Sequence, residues 1–314
     1  MTAIIPEGTV AWGLQLPIQA QSTIFVEPWE ATATTDDLVA VAKAADRAGA
    51  LYVGVCEHVA IPKPFDEKMG TTWYHPFVTL GFLAAATERV RLLSHVVALP
   101  YHHPLEVAKA FGTLDALSGG RAVVGVGAGH VESEFALLGV DFAGRGDWVE
   151  RSLPALRAAL DHEYPALPDA AWGLDGSAGL APRPVQASVP IWVGGSSPVA
   201  VRRAAQHGDG WLPQGVRLRD LPGVVERIRR LRDEAGRPEA FDVGALVGCY
   251  VGDPGWDVGP HFPTGSPDEI AAALRPFVDA GANQIQVRFR SRDRGEMVDQ
   301  IERFGVEVAP LLQG

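Results

Sequence analysis

Short apolar runs and longer amphipathic stretches alternate along the chain. The apolar runs fall at residues 10–16, 51–56, 90–99, 122–126, 191–193, 209–212, 243–251 and 284–289. Most are bounded by glycine, proline, asparagine or aspartate, the pattern of strands buried on both faces. The stretches between them carry helical periodicity at 38–48, 76–87, 104–118, 147–160, 198–207, 222–235, 267–280 and 295–304. Helix boundaries are marked locally. Thr34-Thr35-Asp36-Asp37, Ser197-Pro198 and Ser266-Pro267-Asp268-Glu269 offer N-caps, and Gly49, Gly119-Gly120 and Gly281 offer stops.

Eight strands alternating with helices predict a (β/α)8 TIM barrel. The rival doubly wound sheet expects a Gly-x-Gly-x-x-Gly turn after its first strand. Here that strand runs into Pro17-Ile18-Gln19-Ala20-Gln21 instead. Residues 162–189 break the rhythm: they are rich in proline and glycine, without a period, and read as an irregular insertion between strands 4 and 5. Such a long loop is usually functional, for instance as a lid, or mobile.

Composition narrows the function classes. The 314 residues are read as one domain spanning 1–314, with 47% hydrophobic residues to fill a large core. A net charge of −11 without a basic stripe argues against a nucleic-acid partner. No apolar run is long enough for a bilayer, and no leader pattern opens the chain, so a membrane partner is not expected. Cys56 and Cys249 both lie in apolar runs and read as buried thiols in a reducing, cytoplasmic setting.

Barrels keep their chemistry at the C-terminal strand ends. Those ends bring forward Leu14-Gln15, Glu57-His58, Ser94-His95, Gly127-Ala128-Gly129-His130 and Gly194-Gly195-Ser196-Ser197. Histidine as a residue type titrates near neutrality, so His58 suits general acid/base work, or is simply a hydrogen-bonded loop histidine. Glu57 faces the opposite side of the strand and reads as structural or orienting. Gly194–Ser197 has the glycines, hydroxyls and helix N-terminus of an anion loop, against the reading of an ordinary capped turn. His102-His103 has no carboxylate or thiol at ligand spacing, and no metal is expected.

Several segments resemble the bacterial-luciferase-like oxidoreductase superfamily, and within it the branch that uses the deazaflavin coenzyme F420. They are residues 51–58, 84–92 (AAATERVRL), 99–104 (LPYHHP), 114–121 (LDALSGGR), 125–129 (GVGAG) and 191–211 with its Gly208-Asp209-Gly210-Trp211. The resemblance implies a cofactor ring over the barrel mouth and a non-proline cis peptide ending strand three. The matching bond is Ser94–His95 or His95–Val96, the latter favoured, forming a bulge that props the ring. It also implies a cofactor phosphate near Gly194–Ser197, and ring contacts from Glu57, Ser94, His95, Val96, Gly127, Ala128 and Gly129. Glu57 departs from the commoner aspartate of the acid–histidine pair. His130 stands where relatives place a catalytic glutamate or a tryptophan.

The function this implies is hydride transfer between F420 and a small organic substrate, with His58 and His130 as candidates to move the proton. The alternative is an FMN-dependent monooxygenase fed by a separate reductase. A non-catalytic flavin-binding protein is a further rival. The resemblance also implies a homodimer.

Overall fold

A computed structural model describes residues 3–23 and 25–313. Its strands are β1 (Ala11–Gln15), β2 (Tyr52–Val55), β3 (Arg91–Ser94), β4 (Ala122–Gly127), β5 (Ile191–Gly194), β6 (Gly210–Leu212), β7 (Asp242–Val251) and β8 (Gln284–Phe289). Each pairs in parallel with the next, and β8 pairs with both β7 and β1, so the sheet closes into a barrel. The helices α1 (Thr35–Arg47), α2 (Pro76–Ala86), α3 (Pro104–Ser118), α4 (Arg145–Asp161), α5 (Pro198–His207), α6 (Leu221–Glu234), α7 (Pro267–Asp279) and α8 (Arg294–Arg303) alternate with the strands. The expected caps form: Thr34 and Asp37 make a reciprocal capping box, as do Ser266 and Glu269, and Ser197 accepts from the Ala200 N–H. Each is worth about 1 kcal/mol.

Alternation along the strands divides the core in two. Val53, Leu92, Val124, Ile191 and Ile285 point outward into the layer beneath the helices. Tyr52, Leu93, Val123, Trp192 and Leu212 fill the barrel, with the Tyr52 and Trp192 rings edge-on at 5.5 Å. Two glycines make room for these rings: a Cβ at Gly13 would stand 2.5 Å from Tyr52, and one at Gly210 would stand 2.4 Å from Trp192. Below them, Asp242 accepts the N–H groups of Ile4 and Ile5 and the Trp192 indole N–H, tying the start of the described chain across the barrel's N-terminal end. Burial outweighs these three bonds and pushes the Asp242 carboxyl up to about 6.

Two departures from the hydrophobic pattern bear on the β3 and β4 ends. The run at 90–99 is not one strand: β3 ends at Ser94, the chain jogs through His95 and Val96, and Val97–Ala98 resumes pairing with Val126 and Gly127. A 3-10 turn, Leu99–Tyr101, follows. The apolar run is unbroken because the jog is itself largely buried. Second, a short helix, Glu132–Leu137, stands between β4 and α4 where none was expected.

The 162–189 insertion is irregular apart from a 3-10 turn at Pro168–Gly173. It is anchored all the same. Trp172 donates to the Arg151 carbonyl at 3.0 Å and packs edge-on against Trp148 and His103. On the return leg, Asp115 accepts from the backbone of Val185 and Gln186. Among the described residues, no helix is long and apolar enough to cross a membrane.

Candidate active site

The ends of β2, β3 and β4 lie side by side and carry most of the residues singled out from the sequence. Ser94 donates to the Gly125 carbonyl and accepts from its N–H, so its hydroxyl is spent in the barrel wall. The close approach needs glycine, since a Cβ at Gly125 would lie 1.8 Å from the Ser94 carbonyl oxygen. The cis bond is His95–Val96. His95 is buried, with its Cβ over Gly54, and neither ring nitrogen has a hydrogen-bond partner. Burial lowers its pKa to about 4, so the ring is neutral at ordinary pH. The partly exposed Val96 lies over two glycines: a Cβ would approach its methyls to 2.7 Å at Gly127 and 2.9 Å at Gly194. Val96 is thereby an apolar floor spanning three strands.

His58 follows the end of β2, the strand that pairs with β3. Its Nδ1 lies 2.7 Å from Glu134 Oε2, and its ring packs edge-on against Trp73 at 4.4 Å and His130 at 5.7 Å. Glu134 is fully buried, and burial alone would raise its pKa. The bonds from His58, Ala60 and Val59 outweigh that and hold the carboxyl below the usual range. Tyr101 also donates to Oε2, at 3.0 Å. His130 titrates below its ordinary value, through desolvation first and the neighbouring His58 second, with Glu134 opposing.

Glu57 and His58 lie just past the end of β2, and their side chains find different partners. Glu57 accepts from the Ala98 N–H at 2.8 Å and meets His102 Nε2 at 2.7 Å. His103 instead caps α3 through the Leu105 N–H, so the two adjacent histidines diverge. In the β5 loop both hydroxyls are engaged. Ser196 exchanges two bonds with the Gln214 backbone, and Ser197 caps α5. An anion there would meet backbone N–H groups. Gly129 has a φ of +72°, and a Cβ would strike the Phe135 ring at 2.8 Å. Ala128 beside it is partly exposed.

Glu134 did not stand out in the sequence; Tyr101 stood there only as part of the LPYHHP segment, and Trp73 as an aromatic suited to a pocket wall or to packing. The one available signal for Glu134 was an acidic residue shortly after the glycine-rich β4 end. Its partner lies 76 residues away, a contact no local pattern encodes.

The luciferase-like monooxygenase family matches residues 16–258. The chain belongs to the luciferase-like monooxygenase family. This luciferase-like protein is 32% identical to an uncharacterized protein of Mycobacterium tuberculosis over 220 residues, covering 66% of this chain and 75% of that one. It is 27% identical over 308 residues to the F420-dependent glucose-6-phosphate dehydrogenase of Intrasporangium calvum, covering 80% and 88%. Its fold matches that of the FMN-bound oxygenating constituent of 3,6-diketocamphane monooxygenase from Pseudomonas putida, with a TM-score of 0.74, 18% identity and coverage of 96% and 98%. The luciferase-like chain is thus an oxidoreductase of a family with F420- and FMN-dependent members. Its residues fit a flat redox ring: an apolar floor at Val96 and, beside it, a buried imidazole with two unsatisfied nitrogens.

Proposed function

We propose that this chain transfers a hydride between coenzyme F420 and a small organic substrate, with His58 taking or giving the accompanying proton. The carrying observation is the His58 ring, fixed by the buried Glu134 carboxylate and facing His130, at the strand ends that also carry His95 and Val96. When bound, F420 supplies the carbon that carries the hydride. His95, Val96 and Gly127–Gly129 would hold its ring, and the Gly194–Ser197 backbone its phosphate. Glu57 supports that site from behind by fixing Ala98 and His102. His58 is the group with a titratable nitrogen near the reacting face, the requirement for a hydride–proton pair.

Titrating the protein with F420 and with FMN, followed by cofactor fluorescence, tests the reading. Tight F420 binding, and turnover that collapses in His58→Ala, is the expected result. FMN binding with oxygen uptake, fed by a separate reductase, would replace it with the monooxygenase reading. Binding without turnover would mark a silent flavin-binding protein. The same reading has the chain act as a single-domain homodimer in a reducing cytoplasm, where the buried Cys56 and Cys249 stay free thiols.

A further inference from the structure

We infer that Glu134 is a positioning residue that fixes His58 in the Nδ1–H tautomer, leaving Nε2 as the nitrogen that exchanges a proton with substrate. The inference rests on the reading of His58 as the proton carrier and adds the group that sets its chemistry.

The donors around the carboxylate fix the tautomer. Glu134 Oε1 lies 2.6 Å from the Val59 N–H and 3.1 Å from the Ala60 N–H, and backbone amides only donate. Oε2 receives the Tyr101 hydroxyl at 3.0 Å and faces His58 Nδ1 at 2.7 Å. Tyr101 stays protonated, because burial first and Glu134 second push its pKa up. The carboxyl itself is held below its usual range, so it is an anion with three fixed donors around it. The remaining contact is satisfied only if Nδ1 carries the hydrogen. Among the described residues nothing hydrogen-bonds Nε2. In water the neutral ring favours the other tautomer, so the protein reverses an intrinsic preference.

The same carboxylate grips the two residues that follow His58. One buried side chain on the Glu132–Leu137 helix thus sets both the place of the imidazole and its protonation pattern. An orienting carboxylate behind a general base is a recurring device for such reactions. The titratable groups facing His58 are Glu134 from that helix, Tyr101 from the turn after β3, and His130 from the β4 end. The Glu57–His102 pair stands beyond Tyr101, close enough to act on it.

The test is nitrogen NMR of imidazole-labelled protein, recorded across pH without cofactor. In the wild type, His58 is expected to show a protonated Nδ1 and a bare Nε2 while neutral. In Glu134→Gln the fixed tautomer is lost and the His58 titration midpoint falls by about 1–2 units, since an adjacent anion no longer favours the imidazolium. In Tyr101→Phe the carboxylate loses a competing donor, and the midpoint moves the other way. With a turned-over substrate, kcat in Glu134→Gln drops by about 10²-fold or more, and the acidic limb of its pH profile, where Nε2 takes up a proton, shifts with the NMR midpoint. An Nε2–H tautomer in the wild type overturns the inference. So does a Glu134→Gln protein whose midpoint is unchanged, which would make Glu134 a clamp only. If Glu134→Gln does not fold, the wild-type tautomer and the Tyr101→Phe shift still decide. A failure of F420 to bind would sink the proposed function and leave the NMR result standing.

Discussion

Replacing His95 with leucine should stabilise the protein, and by more at low pH. The imidazole is buried with two unsatisfied nitrogens, each a lost partnership with water. Orphaned buried polar groups cost about 1–3 kcal/mol, so leucine should gain on that order at neutral pH. The pH term adds to this. Burial depresses the His95 pKa from 6.5 to about 4 in the folded state. Between those values the unfolded chain binds the proton and the folded one does not. The His95 contribution is therefore intact above the unfolded pKa and lost as pH falls through the folded one. At roughly 1.4 kcal/mol per unit, the loss totals about 3 kcal/mol by about pH 4. Asp242 titrates in the same range with the opposite sign, but it is common to both proteins and cancels in the difference. Urea unfolding of both proteins at several pH values from about 7 to 4 measures that difference. It should widen toward acid, while cofactor affinity of the variant falls. A constant gap, or a leucine variant less stable at neutral pH, would mean that the buried His95 nitrogens do not cost the fold stability.

Three further expectations follow from single contacts. Gly127→Ala sets a methyl 2.7 Å from a Val96 methyl and should lift the floor, cutting cofactor affinity about tenfold or more in a fluorescence titration at little cost in Tm. Unchanged affinity would mean that the ring lies elsewhere. Asp242→Asn should cost about 1–3 kcal/mol, since an amide nitrogen replaces one of the two oxygens that accept the Ile4, Ile5 and Trp192 N–H groups. The folded pKa of Asp242 is raised to about 6, so its contribution grows as pH falls from there toward the unfolded value; the Tm gap to the variant should widen in that window. Glu57→Gln should loosen the turn after Val97–Ala98, seen as faster hydrogen exchange at the Ala98 amide and a loss of about 2 kcal/mol in urea unfolding.

The barrel was legible because parallel strands are buried on both faces and so print as apolar runs. The caps were legible because they are chemistry between near neighbours, such as Thr34 with Asp37. The jog at His95–Val96 left no hydrophobic trace, and only the family resemblance located it. The site was half legible. His58 stood out as a histidine at a strand end, and Val96, Gly127 and Gly194 do converge. Glu134 did not stand out, because its role is set by a partner far along the chain and by burial that no local pattern gives it. The loop at Gly194–Ser197 was read from the right residue types, yet its hydroxyls serve Gln214 and the helix cap. Residue identity cannot reveal which of two available partners a hydroxyl takes.

The histidines, Glu134, Tyr101 and the Val96 shelf all come from the first half of the chain, between Glu57 and Glu134. The later strands contribute Gly194 and its loop. The two halves of the barrel rim are thereby separable. A substitution in the loops beyond Gly195 should leave the His58–Glu134–Tyr101 contacts as they are, because none of those bonds reaches past Glu134.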